Sequence, residues 1–87
     1  MSGVLYHEEM GIYLGSCFGL GFWSKLDPVG QPCAVTFPNE KEARKFAASW
    51  DSPVEDLKFV PVQPDDGTYA SIAACKAAGL PEWRYDG

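Results

Sequence analysis

One histidine, three cysteines and seven basic residues are all that this 87-residue chain offers to nucleophilic catalysis, soft-metal binding or phosphate contact. His7 stands beside Glu8 and Glu9, and Cys17, Cys33 and Cys75 are scattered with no C-x-x-C pair. A nucleophilic thiol needs a base within reach and a third group to orient it, and this spacing gives no cysteine such a base. Structural zinc uses closely spaced ligand pairs, whereas the four candidate ligands stand at positions 7, 17, 33 and 75. An odd cysteine count without framework spacing reads as small buried hydrophobes in a reduced protein, with a Cys17–Cys33 bridge across neighbouring strands as the alternative. The carboxylate pairs Glu8–Glu9, Glu55–Asp56 and Asp65–Asp66 flank turns and strand ends, where acids are ordinarily solvated. The sequence therefore assigns no catalytic residue, no metal site and no cofactor.

Basic charge is scarce as well. Twelve acids against seven bases give a net charge of −5. Clustered Lys and Arg are what displace counterions from a phosphate backbone, so direct nucleic-acid binding is disfavoured. An acidic surface suits a basic partner instead. Long apolar runs are missing too: the uncharged stretch Met10 to Trp23 is fourteen residues, too short for a bilayer-spanning helix. Glu8 and Glu9 precede it where a signal peptide carries basic residues, so the "LGSC" at Leu14–Cys17 lacks the context of a lipoprotein cleavage box. The expected setting is cytoplasmic, with no membrane partner.

What is present is one small domain over residues 1–87, with 1–10 as a lead-in and 82–87 as a tail. The stretch "GIYLGSCFGLGFWSK" alternates, with Ile12, Leu14, Phe18, Leu20 and Phe22 on one side and Tyr13, Gly15, Cys17, Gly19, Gly21 and Trp23 on the other. Period two over this length predicts a long strand with one bulky face. Its Gly19-x-Gly21 lacks the third glycine and the following helix of a phosphate-binding loop. "LDPVGQ" reads as a type I turn around Asp27 and Pro28, leading into a second strand in "PCAVTF". In "PNEKEARKFAASW", Asn39 caps a helix, Glu42 completes a capping box, Ala43, Phe46, Ala47 and Trp50 form one apolar stripe, and Glu40 and Arg44 pair along the wet side. "LKFVPVQ" predicts a third strand, placed at a sheet edge because Pro61 donates no ladder hydrogen bond. "YASIAACKAA" predicts a second helix, closed by Gly79 at C′ and stopped by Pro81.

The expected fold is thus α+β, in the order ββαβα. A three-stranded antiparallel sheet of order 2-1-3 would carry both helices on one face, leaving the glycine-rich face of the central strand uncovered. The loops bracketing strand three gather Asp51, Glu55, Asp56, Asp65 and Asp66, which together predict an acidic edge. Tyr13, Trp23 and Trp83 are the aromatic candidates for anchoring a partner on that edge or on the glycine face, because aromatic residues dominate interface hot spots. The alternative is a structural protein, a homodimer paired through the glycine-rich face.

The stretch "GLGFWSKLDPVGQPCAVTFPNEKEARKFAASWD", with the closing "AAGLPEW", resembles small phage- and prophage-encoded accessory proteins of proteobacteria, among which anti-CRISPR proteins are a well-populated class. The resemblance covers most of the chain and carries no functional motif. It implies a small acidic, non-enzymatic inhibitor that acts in the bacterial host cell by docking on a host nucleic-acid-handling protein with a basic surface.

Overall fold

Val4 and Leu5 are adjacent in sequence, and both are fully buried. Successive strand residues point to opposite faces, so a strand that buries two neighbours must be covered on both sides. In the computed structural model, which describes residues 1–17, 20–26, 30–50 and 54–83 (backbone alone at 17 and 20), that strand is β1, Gly3–His7. The lead-in is therefore a central strand. It shows no period two because neither of its faces is wet.

β1 lies between β2 (Gly11–Cys17) and β5 (Lys58–Pro61), and β3 (Leu20–Trp23) flanks β2, giving an antiparallel sheet of order β3-β2-β1-β5. The expectation of three strands in order 2-1-3 is corrected to four strands in this order. The single long strand expected over 11–25 is a hairpin, with Tyr13 opposite Trp23 and Cys17 opposite Leu20. Leu14 and Phe22 still pack toward one cluster, and Tyr13 and Trp23 toward the other. A straight strand and this hairpin thus write the same alternation. The register shifts between Tyr13 and Gly15, where Gly15 adopts φ +143°, so a glycine here makes a bulge. Phe18, Gly19 and residues 27–29 of the turn expected at 27–30 lie outside the described residues, while Gly30 has φ +74°.

β4 (Cys33–Val35) does not join this sheet but pairs with β6 (Tyr69–Ser71) in a two-stranded ladder. The start of the second expected helix is therefore a strand. α2 runs only over Ile72–Ala77, because the Ser71 side chain accepts the Ala74 N–H at 3.1 Å and so caps the helix there. Its end is as expected. Gly79 has φ +91°, its N–H reaches the Lys76 carbonyl, the Leu80 N–H reaches that of Cys75, both at 3.0 Å, and Leu80 is buried. This is a Schellman ending with its apolar contact.

α1 (Glu40–Ala48) begins where Asn39 accepts the Glu42 N–H at 2.9 Å, but the Glu42 carboxylate makes no return bond among the described residues. The Glu40–Arg44 pair forms at 3.1 Å, and Arg44 also donates to the Leu57 carbonyl at 2.7 Å. β5 is an edge strand as expected, paired only with β1 among the described residues, with Pro61 opposite Gly3.

The helices cover opposite faces of the four-stranded sheet, which corrects their expected placement on one. One cluster joins Val4, Ile12 and Leu14 to Ala34, Ala70, Cys75 of α2, Leu80 and Trp83. The other joins Leu5 and Tyr13 to Trp23, Phe37, Ala43 of α1 and Leu57. Burying one large apolar side chain contributes about 1.5–3 kcal/mol, so two shallow cores supply a chain of this size with more than one could.

Candidate interaction surface

The β1–β5 register decides where the acids stand. Tyr6 pairs with Lys58, so past this pair His7 lies beside Leu57, and both chains then leave the sheet. Glu8 and Glu9 follow in the β1–β2 turn, and Glu55 and Asp56 lie in the loop entering β5. All four are exposed, and none has an ion-pair partner among the described residues. The two ion pairs among those residues, Arg44–Glu40 and Lys76–Glu82, lie elsewhere. Cations at this end also hold backbone: the Lys25 ammonium donates to the Glu8 carbonyl at 2.6 Å, and Arg44, already paired with Glu40, holds the carbonyl of Leu57. Lys58 is exposed on β5 nearby. Asp56 occupies the left-handed region, φ +60°, a conformation that Asp tolerates better than most residues.

Asp65 and Asp66 stand past the other end of β5, where the Val62 N–H bonds to the Ser2 carbonyl. The acids gathered around strand three are thus set at its two ends, and Asp51 lies outside the described residues. Asp65 has a structural task. It accepts the Ser71 N–H at 2.8 Å and the Ser71 hydroxyl at 2.6 Å, and these bonds hold its carboxyl below the usual carboxylate range. Asp66 is exposed and bridges through its backbone to Tyr69. Glu8 and Glu9 join Glu55 and Asp56 only once residues 3–7 are placed as a strand. That placement was the missing signal.

The three aromatic candidates are interior. Tyr13 is 1% exposed, Trp23 8% and Trp83 6%. Trp50 crosses over the first two, with ring centroids 5.1 Å from Tyr13 and 5.9 Å from Trp23, so the glycine-rich face is roofed at its aromatic posts by the end of α1 and the residues after it. The space beside Gly15 stays open. Burial pushes the Tyr13 phenol up, against a bond to the Ser16 hydroxyl. Trp83 donates its indole N–H to the Gln31 carbonyl at 2.7 Å, fastening the chain after α2 to the segment before β4. Among the described residues, the aromatic side chains that meet solvent are Tyr69 on β6, 45% exposed, and Phe46 on α1, 41% exposed and tilted against Phe37 and Tyr13.

The surroundings of Cys33 and Cys75 favour the neutral thiol. Burial, with Asp65 and then Cys33 nearby, pushes Cys75 up to about 11. Burial and the charges of Asp66 and Asp65 raise Cys33 as well. A reactive thiol needs a shift in the other direction. His7 is occupied, its Nδ1 accepting the N–H groups of Glu9 at 3.1 Å and Met10 at 3.3 Å. No helix among the described residues is long and apolar enough to cross a membrane. No protein-family model, curated protein or solved structure matches the chain.

Proposed function

We propose that this is a non-enzymatic binding protein, an inhibitor of the phage type, which docks its acidic end on a basic surface of a host nucleic-acid-handling complex. The observation that carries the reading is the group Glu8, Glu9, Glu55 and Asp56: four exposed carboxylates at one end of the sheet, none with a counter-ion among the described residues. Carboxylates left unpaired by their own chain are free to meet cations on another, and there they stand where phosphates would stand. Such charge acts mainly on association rate and on choice of partner. The anti-CRISPR-like character comes from the resemblance in the sequence. The raised thiols of Cys33 and Cys75 and the engaged His7 favour binding over chemistry. Trp23, Tyr13 and Trp83 are left to hold the fold that presents the acids.

The test is affinity capture from a bacterial lysate rich in RNA-guided defence complexes, using the wild type and a variant carrying Glu8→Lys, Glu9→Lys, Glu55→Lys and Asp56→Lys. All four positions are exposed, so circular dichroism should show the variant folded. The expected result is a basic complex captured by the wild type, released by competing duplex DNA and lost with the variant. Equal capture by both proteins would remove the acidic end from the account.

A further inference from the structure

The β1–β2 turn is held by an unusual acceptor. Glu9 and Met10 donate their backbone N–H groups to one atom, Nδ1 of His7, at 3.1 and 3.3 Å. A nitrogen that accepts must carry its lone pair, so this geometry fixes the ring proton on Nε2. The arrangement copies the Asx turn, in which a side-chain oxygen accepts amides two and three residues ahead. The oxygen of Asn stays an acceptor at any physiological pH. An imidazole nitrogen is an acceptor only until it binds a proton.

We propose that His7 makes this turn an acid-released latch. One proton taken from solvent at Nδ1 turns the acceptor into a donor, and both amide bonds are lost together. The acids at this end of the sheet are Glu8 and Glu9 on the turn of His7 itself, and Glu55 and Asp56 in the loop before β5. The opposing cations are Lys25 after β3, which already holds the Glu8 carbonyl, Arg44 of α1, which holds the Leu57 carbonyl and pairs with Glu40, and Lys58 on β5, opposite Tyr6. Trp23 contributes a neutral ring, edge-on at 6.5 Å. Two arrangements therefore compete. In one the neutral ring ties down the amides, and in the other the charged ring turns to a carboxylate. Because the moving segment carries Glu8 and Glu9, acid repositions half of the acidic end. The latch stands on the turn geometry alone and holds whether or not the binding reading does.

The test is NMR of the full chain from about pH 8 to about pH 5, the range in which histidine changes charge. The His7 ring resonances and the amide exchange of Glu9 and Met10 are followed together. Protection of these two amides is expected to fall about tenfold, the scale of one net hydrogen bond, as the ring titrates. The amides of Val4 and Leu5 in β1 should hold. In His7→Asn, whose oxygen accepts without titrating, the two turn amides should stay protected throughout. Protection that stays flat in the wild type while the ring titrates would overturn the latch, as would the same fall in His7→Asn. The wild-type titration decides the matter even where the variant folds poorly.

Discussion

The two faces of the four-stranded sheet are closed by different means. On one side Val4, Ile12 and Leu14 meet Ala34, Ala70 and Cys75, small residues of β4, β6 and α2. On the other, α1 lies over Leu5 and Tyr13 with Phe37, Phe46, Trp23 and Trp50 packed edge-on or tilted between. One layer is filled largely by small side chains, and the other by rings. Aromatic pairs add about 0.5–1.5 kcal/mol beyond the area they bury. The chain's high aromatic content is explained here by packing, without appeal to a ligand.

The largest effects should come from emptying either core. Leu5→Ala and Ile12→Ala, one on each face and both fully buried, should each cost about 2–5 kcal/mol in urea unfolding. Similar losses would show two cores bearing comparable weight, whereas a loss confined to one would show the other face to be a mere cover. Overfilling separates the faces more sharply. Ala34→Leu, in the close aliphatic layer, should cost about 1–3 kcal/mol, while Phe46→Leu, at the exposed rim of the ring array, should cost less.

Helix starts come next. Asn39→Ala under the aromatic face and Ser71→Ala under the aliphatic one should each cost about 1 kcal/mol. Ser71→Ala has a second effect, because the Ser71 hydroxyl helps to hold Asp65 charged. A carboxyl lowered on folding adds stability above its ordinary range, and that stability is lost as pH falls through the lowered value. Acid unfolding should therefore weaken the α2 side, and Asp65→Asn should flatten the dependence. Cys75 works at the other limit. A thiol raised to about 11 stabilises the fold below the ordinary thiol value, and this stability is lost as pH rises toward that figure. Alkylation of Cys75 in the folded protein should accordingly be slow near neutral pH, rising only when the protein unfolds.

The least effect is expected from Arg44→Ala, an exposed helix pair with one backbone contact, at or below about 1 kcal/mol.

Local chemistry was legible in the sequence where a single residue type has a single use. Asn39 marked the start of α1, Gly79 the end of α2, and Pro61 the edge strand, and the α+β class followed from them. Three features were hidden for physical reasons. β1 buries both faces, so Val4 and Leu5 erase the alternation by which strands are recognised. The β2–β3 hairpin keeps even and odd residues on the same faces as a straight strand would. Tyr69 to Ser71 continue an alanine-rich pattern that reads as helix, while their pairing with β4 is long-range. The acidic end inherits the first of these: Glu8 and Glu9 gain their neighbours from the β1–β5 register, which no local pattern records.

The most direct test of the acidic end is the salt dependence of its grip on the complex captured from lysate. Raising salt from about 0.1 M to about 1 M shortens the screening length from about 10 Å to about 3 Å. If Glu8, Glu9, Glu55 and Asp56 meet cations across the interface, affinity should fall at least about tenfold over that range, chiefly through slower association. Affinity that stays constant across the same range would contradict the docking of carboxylates on a basic surface.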